Sequence, residues 1–237
     1  MQKILQRLVA GLEGAYGDQL ISVILYGSAA SGEYQERSSD LNVTCVLSEI
    51  SASLLKKAEP VVRAFVKDGN PPPMFLAEDE IHNSNDVFPI EFLEMQVNHR
   101  VLAGKDVFAD LKVMRVNHRL ELEHELRSKY LGLRQRYLEV SSRPRMVAAL
   151  MFESLPAFIT LFRHILILTG QSAPIQKRDI IQVFCRQNGG DEAIWLSLLQ
   201  AKASGKAFDS DEVDLVFARY LEQIAAAVRL IDTLPDA

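Results

Sequence analysis

The sequence is poor in cysteine, in histidine and in excess charge, and each shortage excludes a class of protein. Its two cysteines, Cys45 and Cys185, lie far apart in a chain of 237 residues. Disulfide-stapled secreted domains carry several cysteines, so we expect two reduced thiols and a cytoplasmic location. Five histidines and two separated cysteines give no zinc-binding spacing. A net charge of -5 gives no general basic surface, so a nucleic-acid partner is not expected.

Long uninterrupted apolar runs are also missing. The most apolar stretch, 146–169, is interrupted by Glu153, Pro156, Arg163 and His164. A membrane span needs about 20 consecutive, mostly apolar residues, so this stretch is predicted to be a buried bundle helix, with no membrane partner. The first residues, MQKILQRLVAGLEG, have the pattern of an amphipathic helix rather than that of a signal peptide.

The remaining composition is that of a globular chain. Hydrophobic residues make up 48% and charged residues 24%, and the length suits one large or two small domains. Short β-branched runs occur up to Val113, whereas only helical periodicity follows it. We therefore predict an α+β fold, with a mixed sheet and flanking helices in 1–113 and an all-helical bundle in 114–237. The predicted strands are 20–26, 41–47, 74–77 and 87–93, and a short helix is expected from there to about Ala103.

The most informative stretch is 20–47, LISVILYGSAASGEYQERSSDLNVTCVL. Leu20–Tyr26 is a short apolar run typical of a buried strand, and Gly27 can adopt backbone angles that a side chain forbids. A helix beginning after this Gly-Ser turn would direct its first amides at phosphate oxygens. Asp40 and Asn42 share one face of the second strand, because side chains alternate between faces. A phosphate cradle next to such a pair is how a site holds a nucleotide through Mg²⁺.

These residues resemble the signature of the DNA polymerase β-like nucleotidyltransferase superfamily. The resemblance is closest to its small bacterial branch, which includes aminoglycoside nucleotidyltransferases, and it covers roughly the first half of the chain. The family signature is Gly-Ser, a gap, and then Ser-Asp-x-Asp or Ser-Asp-x-Glu on the next strand. Gly27-Ser28 and Ser39-Asp40-Leu41-Asn42 match it, except that the amide Asn42 replaces the second carboxylate.

The resemblance implies Mg²⁺-dependent transfer of a nucleoside monophosphate from a nucleoside triphosphate to a small hydroxylated acceptor. It assigns Gly27, Ser28 and Ser39 to nucleotide binding. It assigns Asp40 and Asn42 to metal binding and catalysis.

The resemblance also implies a third carboxylate, which the sequence does not clearly supply. It should lie at the start of strand 74–77, where Pro72 or Pro73 stands. Another register would use Glu91 or Glu94 on the strand predicted at 87–93. Solvent-facing edge residues are the competing interpretation of these two glutamates.

One matched carboxylate out of three predicts weakened catalysis. The alternative is a module that binds a nucleotide or a protein partner without turnover, such as an antitoxin-like protein. A basic run between Arg127 and Arg145 is interpreted as a solvated helix face rather than a triphosphate contact. The sequence leaves open the acceptor, the nucleotide, the survival of turnover and whether the chain forms a homodimer.

Overall fold

The computed structural model describes residues 1–30, 40–205 and 208–234. The chain divides into two compact units, Met1–Met114 and Arg115–Ala237. The first unit combines helices with a sheet, and the regular elements described in the second are all helices. The fold is therefore of the α+β class that the sequence predicts.

The first unit is built on a four-stranded mixed sheet with the strand order β3-β2-β1-β4. The strands are β1 (Leu20–Tyr26), β2 (Asn42–Leu47), β3 (Met74–Ala77) and β4 (His99–Gly104). The helices are α1 (Gln2–Tyr16), α2 (Ala52–Lys57), α3 (Glu59–Lys67), α4 (Glu78–Asn83) and α5 (Pro89–Val97). β1 is antiparallel to both β2 and β4, and β2 is parallel to β3.

Apolar side chains cover both faces of this sheet. Because successive side chains point to opposite faces, a strand buried on both sides is apolar along its whole length, as LISVILY is. One face packs against α1, α2 and α3 through a core that includes Leu8, Leu12, Val23, Leu25, Val43, Leu54 and Phe65. The other packs against α4, α5 and the segment after β4 through Ile24, Val46, Ile81, Phe92, Met95, Phe108 and Leu111.

Pro60 divides the helical stretch after β2 into two helices, as its position in the sequence indicates. α2 ends at Lys57, and Pro60 lies in the first turn of α3, where a missing N–H leaves no helical hydrogen bond unmade. The Ser51 side chain caps α2 by accepting a hydrogen bond from the Leu54 N–H at 3.3 Å.

The predicted strand at 87–93 is wrong, and so is the short helix predicted up to Ala103. Pro89 starts helix α5 instead, because a proline suits the first turn of a helix as well as the edge of a sheet. The fourth strand is His99–Gly104, which gains its strand conformation by pairing with β1. Tertiary pairing of this kind overrides weak local patterns.

Gly104 fixes the end of β4 against β1. Its φ of +78° belongs to the region that favours glycine, and a Cβ there would lie 2.0 Å from the carbonyl oxygen of Ile21. The next residue, Lys105, donates its N–H to the same oxygen at 3.2 Å.

The second unit is a helical bundle whose described residues include no strand. Its helices are α6 (Arg115–Val140), α7 (Pro144–Leu168), α8 (Lys177–Asn188), α9 (Glu192–Ser204) and α10 (Ser210–Asp232). Among the described helices, α7 alone is long and apolar enough to cross a membrane, and half of its most apolar window is buried inside the protein. Phe162 of α7 contacts Trp195, which in turn contacts Tyr220. α7 is thus a core helix of the bundle, as the sequence predicts.

Candidate functional site

The turn after β1 is held by the junction between α5 and β4. The chain leaves Tyr26 through a single 3₁₀ turn, Gly27–Ala29, and Gly27 has a φ of +74°. The Gly27 N–H donates to the carbonyl oxygen of Asn98 at 3.0 Å, and the Gly27 carbonyl accepts from the Ala30 N–H at 2.9 Å. The fold therefore uses the Gly27 amide itself, and a phosphate would have to take the next amides of the turn. The helix expected beyond it reaches residues 31–39, outside the described part of the chain.

Asn42 lies beside this turn. It is the first residue of β2 and pairs directly with Tyr26. Its Nδ2 is 3.4 Å from the position that a Cβ on Gly27 would occupy. Asp40 precedes the strand by two residues and is exposed. The structure thus places Asn42 at the Gly-Ser turn, with Asp40 just before it on the chain.

Two of the predicted nucleotide-binding groups are not described. Ser39 lies outside the described residues, and the placement of the Ser28 side chain is likewise outside the description. The roles of both residues stay predictions.

The register of β3 places a proline where the third carboxylate was expected. Thr44 of β2 pairs with Met74 of β3 in the parallel ladder. Continued two residues back, this register brings Pro72 beside Asn42. Pro72 is exposed and the adjacent Pro73 is buried. A proline side chain offers no charge and no proton acceptor at this place.

Glu91 and Glu94 lie on helix α5, so their assignment to a fourth strand is wrong. Glu91 is exposed and Glu94 is half-buried. The Glu94 carboxylate accepts a hydrogen bond from Asn98 Nδ2 at 3.5 Å. Since the Asn98 carbonyl holds the Gly27 N–H, two hydrogen bonds link Glu94 to the Gly-Ser turn. Of the two glutamates, Glu94 is the one that these contacts connect to the site.

Asn98 is a residue of this site that the sequence did not single out. It is 8% exposed, and its Oδ1 is buried without a hydrogen-bond partner among the described residues. The Oγ1 of Thr44, two residues beyond Asn42 on the same face of β2, is also buried without a hydrogen-bond partner among the described residues. An unsatisfied buried polar atom costs about 1–3 kcal/mol. The signal in the sequence is the polar run Asn98-His99-Arg100 between two apolar segments.

The residue after Asn98, His99, contacts Asp106 and a backbone carbonyl. His99 Nε2 lies 3.0 Å from Asp106 Oδ2, and its Nδ1 lies 3.1 Å from the Gln96 carbonyl oxygen. Both partners are acceptors, so both contacts are hydrogen bonds only when the imidazole is doubly protonated. Burial acts to raise the pKa of Asp106, but hydrogen bonds from His99 and from the Phe108 N–H outweigh it, and the pKa is lowered. The pair ties the start of β4 to the segment after it.

The described oxygen donors at the start of β2 carry the charge for one metal ion rather than for two. Among the described residues, no group of three or more His, Cys, Asp or Glu side chains could hold a metal. Asp40 supplies a carboxylate and Asn42 an amide oxygen. Mg²⁺ is commonly held by one or two carboxylates together with substrate phosphates. These donors therefore suit one ion that arrives with a nucleotide, and they lack the charge to bridge a pair of ions.

The comparisons with known proteins give a fold but no sequence family. No family model matches the chain, and no curated protein matches its sequence. Among solved structures, it is similar to that of spectinomycin adenyltransferase AAD(9) from Enterococcus faecialis, crystallised with ATP and spectinomycin. The TM-score is 0.60 at 12% identity, over 95% of this chain and 99% of that one. The chain therefore has a fold similar to that of this adenyltransferase, in agreement with the fold that the Gly27-Ser28 and Asp40 motif predicts.

Proposed function

We propose that this chain, which has a nucleotidyltransferase fold, binds a nucleoside triphosphate at the Gly27-Ser28 turn together with one Mg²⁺ at Asp40 and Asn42. The observation that carries the proposal is the Asn42 amide beside the turn, 3.4 Å from the Cβ position of Gly27. Ser39 is the further nucleotide contact that the motif implies. When bound, Mg²⁺ would neutralise charge on the phosphates and on the departing pyrophosphate. The structure of similar fold contains ATP and spectinomycin, which supports a small hydroxylated acceptor as the second ligand.

The reaction proposed for this site is nucleotidyl transfer at a reduced rate. The acceptor hydroxyl attacks the α-phosphorus, the bond to pyrophosphate breaks, and a carboxylate takes the hydroxyl proton. Asn42 brings no negative charge and Pro72 offers no base, so the proton acceptor expected beside Asn42 is missing, and we propose Glu94 as an inefficient substitute for it. Loss of one transition-state donor costs about 100- to 1000-fold in rate, and loss of a base about 100- to 10000-fold. These factors do not simply multiply, because the groups act together.

The alternative is a non-catalytic module that binds a nucleotide or a protein partner, as an antitoxin-like protein would. The feature in its favour is the register of β2 and β3, which, continued back from Thr44 and Met74, brings Pro72 beside Asn42 where a third carboxylate was expected. Both functions suit a cytoplasmic setting, which the two buried free thiols, Cys45 and Cys185, support. Release of pyrophosphate distinguishes the two.

Binding of the nucleotide is tested by calorimetry with the Asp40→Ala variant. We expect the wild type to bind a nucleoside triphosphate more tightly with Mg²⁺ than with a chelator. Asp40→Ala should abolish that difference, because it removes the one carboxylate in the donor set. Asp18→Ala is the control, since Asp18 is exposed and lies just before the start of β1, whereas the Gly27-Ser28 turn follows the end of that strand. A wild type that binds no nucleotide refutes the proposal. If Asp40→Ala binds the nucleotide with unchanged metal dependence, the metal binds at another place.

Restoring the missing carboxylates tests the reduced turnover. Wild-type pyrophosphate release should stay close to background across aminoglycoside, nucleoside and protein acceptors. Asn42→Asp should strengthen Mg²⁺-dependent binding without restoring full activity. Adding Pro72→Asp should raise turnover by about 100-fold or more over adding Pro72→Ser, which removes the proline without supplying a base. Rapid release by the wild type, lost in both Asp40→Ala and Glu94→Gln, would contradict weakened catalysis and identify Glu94 as the base.

A further inference from the structure

β4 presents its outer edge, without a partner strand, in the part of the chain that the structure describes. β4 ends the sheet, and no strand among the described residues pairs with its outer side. The Asn98 carbonyl accepts a hydrogen bond from Gly27, on the side of β1. In an antiparallel pair, the backbone groups of successive residues point alternately towards and away from the partner strand. The N–H and C=O groups of His99 and Val101 therefore point away from β1. Unpaired N–H and C=O groups of this kind are a template for a further strand.

A groove runs along this edge. It has a volume of about 420 Å³ and lies between one flank of α1 and β4. Its apolar lining includes Leu5 and Val9 of α1 and Val101 and Leu102 of β4. A strand added to β4 would therefore place its side chains against α1 on one face of the extended sheet.

Two opposite charges border the groove. Arg100 pairs across strands with Leu25, which belongs to the core against α1, so the Arg100 side chain points to the same face as α1. Glu13 of α1 lines the same groove. Both residues are exposed, and neither takes part in an ion pair within the described part of the chain.

We propose that the groove is occupied by a second copy of this chain, with the two β4 strands antiparallel about a two-fold axis. A two-fold interface makes every contact twice, so Arg100 of each protomer pairs with the partner's Glu13. The two four-stranded sheets then form one continuous sheet. A groove that carries one cation and one anion is complementary to itself, whereas an apolar peptide from another protein would leave both charges buried and unpaired. The proposal does not depend on nucleotide binding.

Sedimentation equilibrium of the full chain tests the dimer through a charge swap. The wild type should dimerise, and Arg100→Glu and Glu13→Arg should each weaken the dimer by about tenfold or more, because each reversal sets two pairs of like charges together. The dissociation constant of the double variant should return to within about threefold of the wild-type value, because each ion pair forms again with its two charges exchanged. Arg63→Glu, at an exposed position on α3, should leave the dimer unchanged.

Amide exchange locates the interface independently of any substitution. The amides of His99 and Val101 should become more protected as the protein concentration rises through the dimerisation range, while amides of α3 should not change. A wild type that remains monomeric at about 100 μM overturns the proposal, since a specific symmetric interface binds more tightly than that. A dimer that is unaffected by either single reversal, or that the double variant fails to restore, also overturns it. Circular dichroism of each variant verifies that it is folded.

Discussion

Two buried histidines illustrate how single residues set the pH response of the helical unit. His118 Nε2 and His164 Nδ1 are 2.8 Å apart, with their rings at nearly a right angle. One nitrogen must donate and the other accept, so the contact requires a neutral imidazole on the accepting side. Burial is the largest of three causes, with electrostatic interactions with His164 and Arg115, that together lower the pKa of His118 from 6.5 to about 3.

The buried His118 should make the protein less stable in mild acid. Between pH 6.5 and about 3, the unfolded chain binds a proton at this residue that the native chain does not. Its contribution to stability is therefore complete above pH 6.5 and is lost as the pH falls, at up to about 1.4 kcal/mol per pH unit. His118→Gln should remove this slope from the free energy of unfolding measured in urea.

His124→Gln is the matched control for that measurement. His124 lies on the same helix, with a side chain that is 75% exposed. Water solvates its imidazole in both states, so its removal should leave the slope in place. Equal slopes in the wild type and both variants would show that another group carries the acid sensitivity.

Helix ends allow a prediction at the scale of elements. Asp191 caps α9 by accepting hydrogen bonds from the N–H groups of Ala193 at 3.1 Å and Ile194 at 3.4 Å. Asp209 occupies the same position before α10, but its side chain makes no capping hydrogen bond. Asp191→Ala should therefore lower the free energy of unfolding by about 1 kcal/mol, and Asp209→Ala by clearly less. Equal losses in thermal or urea unfolding would mean that charge near the helix end, rather than the hydrogen bonds, supplies the effect.

Elements with a strong periodic pattern could be predicted from the sequence. β1, β2 and β3 begin and end within one residue of their predicted bounds, and the described elements of the second unit are helices as its periodicity predicts. α5 and β4 could not, because Pro89 suits a strand edge and a helix start equally well. His99–Gly104 becomes a strand only through its pairing with β1, and no local pattern shows that pairing.

The residues of the candidate site also divide into those that the sequence predicts and those that it does not. Gly27 and Asn42 come together through adjacent strands joined by one connection, and the motif spacing predicts this. Asn98 reaches the turn through a hydrogen bond from a distant part of the chain. Its role depends on the strand order, which spacing along the sequence does not contain. The sequence places Pro72 or Pro73 near this position, and the register of β2 and β3, continued two residues back, favours Pro72.

Each of the two units has the core that independent folding requires. The sheet of the first is buried between helices, and the second encloses α7. We expect separate fragments 1–114 and 115–237 each to unfold cooperatively when followed by circular dichroism.

A fragment that begins at a different residue is the control for this experiment. Fragment 141–237 lacks α6, which packs on α7 and α10, so it should lose its cooperative transition. If 115–237 behaves no better than 141–237, the helical unit depends on the rest of the chain for its stability.

The position of β1 between β2 and β4 has a consequence for the order of synthesis. β2 follows β1 closely, but His99, which pairs with Tyr26, leaves the ribosome much later. The separation is about 70 residues, which takes on the order of 4–14 s at about 5–20 residues per second. Throughout that interval the apolar strand LISVILY has one open edge, in a nascent chain surrounded by other nascent chains. The ribosome-bound intermediate, more than the finished protein, is where this fold is exposed to aggregation and to chaperones.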